Sequence, residues 1–169
     1  DLVELVRDGN RAGAFHNRPV VSLLTGEPEQ IDALRDDTPK GWIVTGYPWY
    51  AIETKQHAEF LEAYKAHYVD YPRFASVLGY ATMNAVAAII ARAGSTDTDT
   101  MIAAAQGVEV NTPFGPISFR PTDRQSTMGM FVGRTTNNLG HGIIVDWHYA
   151  DGALYPSDPD VASAARSGD

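Results

Sequence analysis

The order of hydrophobic patterns along the chain is its strongest constraint, and that order changes at Glu53. Before this point helix-like and strand-like runs alternate. Leu2, Val3, Leu5, Val6 and Ala12 recur at helical spacing behind Asp1 as a cap, which predicts an amphipathic helix from residue 2 to about residue 13. Pro19-Val20-Val21-Ser22-Leu23-Leu24 is a continuous apolar run stopped by Thr25-Gly26, the pattern of a strand covered on both faces. Pro28 opens a helix through Arg35, and Gly41-Trp42-Ile43-Val44-Thr45 makes a second strand. Helix, strand, helix, strand with short connections is the order of an α/β fold with a parallel sheet.

After Glu53 three helical stretches follow with no strand between them. Thr54 to Val69 carries Phe60, Leu61, Tyr64 and Tyr68 at three- and four-residue spacing. Phe74 to Ala93 is apolar almost all round, with Ala81, Ala85, Ala88 and Ile89 on one side and Val77, Met83 and Ile90 on others, as in a helix buried in a larger body. Ser95-Thr96-Asp97 supplies cap residues for a third helix that includes Met101 to Gln106. Strands are then expected at Val108 to Val110, at Ile117 to Arg120 across the turn Pro113-Phe114-Gly115-Pro116, at Met128 to Arg134 and at Gly142 to Tyr149. The small, polar end from Pro156 to Asp169 reads as loosely held. Two strands with their helices, followed by a buried helix with no sheet of its own, do not close a layered core. Something needed to close it is missing from this pattern.

Charge and composition narrow the function. Thirteen Lys plus Arg against 21 Asp plus Glu leave a net charge of −8 over 169 residues, the wrong sign for a nucleic-acid surface. A hydrophobic content of 44% with 20% charged residues fits a packed globular body. No unbroken apolar run reaches the ~18 residues of a membrane span, since Asn84 and Arg92 interrupt the best candidate, which argues for a soluble chain. The sequence opens on Asp1-Leu2-Val3-Glu4 without a basic and then apolar leader, so a secretory signal is cleaved, absent or outside it. Without cysteine there are no disulfides, thiolate ligands or cysteine nucleophiles. The five histidines lack metal-ligand spacing, and Thr96 to Thr100 lacks the glycine and terminal glutamate of a calcium loop, so it reads as a helix cap. No serine sits in a nucleophile elbow, no glycine loop cradles phosphate, and Asp36-Asp37 reads as a solvated helix end. Neither an enzyme, a metal nor a cofactor is indicated.

The segment with the clearest binding character is Gly46-Tyr47-Pro48-Trp49-Tyr50, three aromatics directly after a strand. In parallel α/β sheets ligands bind outside the carboxyl ends of strands, so this segment and Thr25-Gly26-Glu27, which follows the preceding strand, are expected to meet at one edge. The plain alternative is that the aromatics only pack a connection.

The series Gly41-Trp42-Ile43-Val44, the aromatic connector, Phe60-Leu61-Glu62-Ala63-Tyr64-Lys65 with Tyr71-Pro72, Gly79-Tyr80-Ala81, Ala93-Gly94-Ser95-Thr96-Asp97, Thr112-Pro113-Phe114-Gly115 and Phe119-Arg120-Pro121-Thr122-Asp123-Arg124-Gln125 resembles the carboxyl-terminal half of the branched-chain amino acid type of ABC-transporter substrate-binding protein. The resemblance runs from about Asp1 to Tyr149 and rests on order and spacing. It implies half of a type I periplasmic-binding-protein fold: two αβα lobes with parallel sheets, joined by three hinge crossovers around a ligand. Residues 1–51 would belong to the second lobe, 52–128 to a helical segment of the first, 129–150 to a return to the second, and 151–169 to a loose tail. By position, Thr25, Gly26 and Glu27 would meet the ligand from the second lobe. Glu27 suits an ammonium, and the Thr25 hydroxyl with backbone N–H groups suits a carboxylate. Tyr47, Trp49 and Tyr50 match the hinge-proximal connector, and Phe74 with Ser76 matches the start of the buried helix. The implied function is capture of a small amino acid or an organic carboxylate, aromatic ones included, in the periplasm for ABC permease subunits. The missing amino-terminal half would be a further partner. A cytosolic sensor of the same fold and a small α/β hydrolase are the alternatives.

Overall fold

The computed structural model describes residues 1–156. Its elements run α1 (Leu2–Arg11), β1 (Val21–Gly26), α2 (Pro28–Leu34), β2 (Ile43–Gly46), α3 (Lys55–Tyr68), α4 (Phe74–Ala93), α5 (Thr98–Ala105), β3 (Glu109–Thr112), β4 (Gly115–Ser118), β5 (Met130–Asn138) and β6 (His141–Ala150). The chain divides into two compact units. One comprises Asp1–Ile52, Tyr71–Ala75 and Met130–Ala150; the other comprises Glu53–Asp70, Ser76–Gly129 and, of the described residues after β6, 151–156.

The first unit is built on a four-stranded sheet in the order β1-β2-β5-β6. The parallel pair expected from the alternating pattern is β1 with β2, and the long β5–β6 hairpin adds two antiparallel pairings. Val6, Ile31, Leu34, Trp42, Val44 and Ile144 form its core, so α1 and α2 bury their apolar stripes against the sheet. Asp1 caps α1 by accepting the Glu4 amide at 2.9 Å. The β1–β2 register slips between Ser22 and Gly26. There the Ser22 and Thr25 hydroxyls lie 2.6 Å apart, and the Thr45 hydroxyl donates to the Leu23 carbonyl at 2.6 Å. The expectation that β1 is covered on both faces therefore fails. Val21, Leu23 and Leu24 are 67%, 68% and 53% exposed, because the strand lies at the sheet edge and its irregularity turns two leucines outward.

In the second unit the antiparallel β3–β4 hairpin and one stripe of α4 make a small core of Ala85, Val108, Val110 and Ile117, with Ile89, Phe119 and Met128 packed against it. Thr54 caps α3, accepting the His57 amide at 3.3 Å. Asp97 caps α5, accepting the Thr100 amide at 3.0 Å and its hydroxyl at 2.8 Å. These hydrogen bonds pull the Asp97 carboxyl below its usual pKa, so the Thr96 to Thr100 segment is a helix cap. α4 is buried along Val77, Ala81 and Ala85, whereas Leu78, Tyr80 and Met83 are exposed. Among the described residues α4 is also a helix long and apolar enough, by length and composition, to cross a membrane, at a mean hydropathy of 1.7. Counting unbroken apolar runs overlooked it, because small polar residues interrupt the run without making the helix polar. The Thr82 hydroxyl, for example, folds back onto the Leu78 carbonyl at 2.8 Å. The segment from residue 151 begins with a 3-10 turn at Gly152–Leu154 capped by Asp151; residues 157–169 of the expected loose tail lie outside the described residues.

Candidate functional site

The first unit holds a cleft of about 270 Å³ where the connector after β2, the start of α2, the beginning of β6 and Tyr71 converge. Gly46 ends β2, and two successive turns, Trp49 amide to Tyr47 carbonyl at 2.8 Å and Ala51 amide to Pro48 carbonyl at 3.0 Å, fold the connector back on itself. Tyr47 and Pro48 are buried by that turn, and burial pushes the Tyr47 phenol pKa up. Trp49 stacks on Tyr71 with ring centroids 4.3 Å apart and 13° between planes, and meets Tyr50 edge-on at 5.8 Å. The Tyr50 hydroxyl donates to the Ile144 carbonyl at 3.1 Å and accepts from the Ile144 amide at 2.7 Å. It thus satisfies backbone groups on the edge strand β6. Burial raises the Tyr50 pKa, and its bond to Ile144 partly offsets the rise.

Tyr71 is anchored from α2. Its hydroxyl donates to Asp32 at 2.7 Å, Arg73 pairs with the same carboxylate at 3.3 Å, and the Arg73 guanidinium lies 4.0 Å over the Tyr71 ring.

Of the eight residues singled out by sequence, Gly26, Tyr47, Trp49 and Tyr50 line this cleft. Gly26 has a structural reason as well: a Cβ there would run into the Thr45 carbonyl, and one on Gly46 into the Gly26 carbonyl. Thr25 is fully buried and its hydroxyl faces Ser22 in the β1 irregularity, so it does not line the cleft. Glu27 is the N-cap of α2 without a side-chain capping bond, and it too stands outside the lining. Its carboxyl is pushed above the usual range, first by burial and then by the charge of Glu29. Phe74 lies half-buried in the first unit, away from the cleft lining. Ser76 belongs to the second unit, where its hydroxyl donates to Tyr64 at 3.2 Å.

Sequence reasoning passed over Ile31, Asp32, Tyr71, His141 and Ile144 as cleft residues. Tyr71 stood in the quoted Tyr71-Pro72 pair, but nothing local tied it to Trp49. The second unit has a larger hollow of about 460 Å³, walled by Phe60, Tyr64, Tyr68 and Tyr80, that none of the eight lines. Among the described residues no group of three or more His, Asp or Glu side chains is placed to hold a metal ion.

The family model for periplasmic binding proteins matches residues 1–139. The chain belongs to the periplasmic binding protein family. Among solved structures, the amino acid ABC transporter substrate-binding protein from Pseudomonas fluorescens Pf-5 is similar at a TM-score of 0.73 and 19% identity, over 96% of this chain and 43% of that one. The leucine-, isoleucine-, valine-, threonine- and alanine-binding protein from Brucella ovis is similar at 0.73 and 18%, over 94% and 42%. A solute-binding protein of an ABC transporter from Rhodopseudomonas palustris BisB5, solved with 3,4-dihydroxybenzoic acid, is similar at 0.69 and 22%, over 88% and 42%. Among curated protein sequences none matches. At these identities the structural likeness is one of fold, and this chain spans less than half the length of each neighbour. The neighbours are binding proteins of transporters, and this periplasmic binding protein shares their α/β architecture.

Proposed function

We propose that this periplasmic binding protein is the solute-binding component of an ABC importer, capturing a small amino acid or an organic carboxylate for a membrane permease. The chain carries no chemical step in this reading. The observation that carries the proposal is the convergence of Gly26, Tyr47, Trp49 and Tyr50, which stand at or just after the carboxyl ends of β1 and β2 where α/β sheets bind ligands, on one aromatic cleft that runs along the sheet to the start of β6. The partially matched neighbours support it, since their names cover both amino acid binding and an aromatic acid.

In the same proposal residues 1–51 and 129–150 belong to the second lobe, residues 52–128 to a helical segment of the first, and an amino-terminal half supplies the first-lobe sheet. The exposed apolar residues of α4, Leu78, Tyr80 and Met83, are what such a sheet would cover. The site of action is the periplasm.

Native mass spectrometry of the protein purified without denaturant tests the reading. A bound small acid or amino acid is expected in the wild type, with occupancy reduced in Trp49→Ala; a protein that carries and binds none in calorimetry with leucine and benzoate overturns it.

A further inference from the structure

Resting on that solute-binding reading, we propose that the cleft selects a planar aromatic carboxylate, with the ring against a locked aromatic wall and the carboxylate received by Arg35 and His141. The wall is preorganised. Tyr71 has Trp49 stacked at 4.3 Å and Arg73 at 4.0 Å over its ring, so both of its faces are taken. Asp32 holds the Tyr71 hydroxyl and Arg73 together, and Tyr50 is tied at its hydroxyl to the Ile144 backbone. With Tyr71 covered on both faces, the ring surface presented to a planar ligand is that of Tyr50, 45% exposed and fixed by Ile144 beside Trp49; it is met without ordering cost and cannot reshape around a branched aliphatic chain.

The cleft does not end at this wall. A polar hollow of about 260 Å³ shares Asp32, Tyr71 and His141 with it and adds Arg35 and Gly140. Asp32 is already engaged by Tyr71 and Arg73. The Arg35 guanidinium has no hydrogen bond or ion pair among the described residues, and a guanidinium fork matches a carboxylate with two parallel N–H donors. His141, exposed at the start of β6, adds a ring N–H donor. Besides Asp32 in the lining, whose charge Arg73 offsets, a second opposing charge is Asp36, whose carboxylate lies 3.5 Å from where a Cβ on Gly140 would stand. Arg35 and Asp36 should therefore act on an anionic ligand with opposite signs.

Calorimetric titration of the full chain with benzoate, benzamide, cyclohexanecarboxylate and leucine tests this. Benzoate is expected to bind roughly tenfold more tightly than benzamide, which keeps the shape without the charge, and than cyclohexanecarboxylate, which keeps the charge without the flat ring. Arg35→Gln should erase the advantage of benzoate over benzamide while leaving benzamide unchanged, and Asp36→Asn should tighten benzoate. Benzoate binding that ignores Arg35→Gln, or cyclohexanecarboxylate binding as well as benzoate, overturns the proposal. Leucine binding alone, weakened in Trp49→Ala, overturns this ligand class and leaves the solute-binding reading standing. If none of the four binds, both fall.

Discussion

At the scale of single residues, the cleft uses polar atoms to hold apolar surface. Tyr50 is 45% exposed, yet its hydroxyl meets both backbone groups of Ile144 on the edge strand β6. Its ring and its hydroxyl therefore have separable roles. Tyr50→Phe is expected to lower stability in denaturant melts by about 1–2 kcal/mol, with the smaller end favoured because water reaches the edge strand. Ligand affinity should fall less than on Tyr50→Ala, since the aromatic surface remains and only its hydroxyl tether is lost. Glu27 makes a pH prediction. The folded chain holds its proton more tightly than the unfolded chain does, because burial and Glu29 raise the carboxyl above its ordinary value of 4.5. The associated stability is present below that value and is lost as pH rises through the raised one. Glu27→Gln should accordingly lose less stability than the wild type between about pH 4 and 7, measured by urea melts at each pH. Parallel curves for the two proteins would mean that Glu27 titrates alike folded and unfolded.

At the scale of elements, α4 and β1 each carry more apolar residues than this chain buries. α4 presents Val77, Ala81 and Ala85 inward at four-residue steps and leaves Met83 66% exposed. Two substitutions in one helix should therefore differ sharply. Val77→Ala removes methyl groups from a fully buried site and is expected to cost about 1–3 kcal/mol, whereas Met83→Glu should stay within about 0.5 kcal/mol in this chain. Thermal melts of both variants check it, and similar losses would mean that the outer face of α4 is also packed. β1 shows a related excess: Val21 and Leu23 face out at the sheet edge, an edge that pairs readily with another strand unless something covers it.

At the scale of the whole molecule, the two compact units are each assembled from discontinuous stretches of sequence. The proposed amino-terminal half would change the environment of α4 more than that of α1, whose inward Val6 is already packed in the core of its own unit. Hydrogen exchange should detect this. In a longer protein that includes the half, α4 amides are expected to exchange at least about tenfold more slowly than in this chain, with α1 amides little changed. Equal protection of α4 in both would remove the need for a covering sheet.

Much of the element order was legible from sequence because it rests on local chemistry. Helical spacing marked α1, α3 and α4, Pro28 marked the start of α2, Asp97 marked the α5 cap, and Pro113 to Pro116 marked the β3–β4 turn. The aromatic connector was legible for the same reason, as three rings in four residues after a strand. Burial of β1 was not, because a continuous apolar run looks the same whether a strand lies inside a sheet or, with an irregular register, at its edge. The membership of the cleft was also beyond sequence: Asp32, Trp49, Tyr71 and Ile144 come from four separate stretches. Local pattern determined which elements this chain forms and where its rings concentrate. Only the tertiary structure decided that Trp49 has Tyr71 as its stacking partner and that Thr25 turns away from the cleft. Stacking, edge position and side-chain direction depend on residues distant in the chain being brought within a few ångströms by the packing of the sheet and α2.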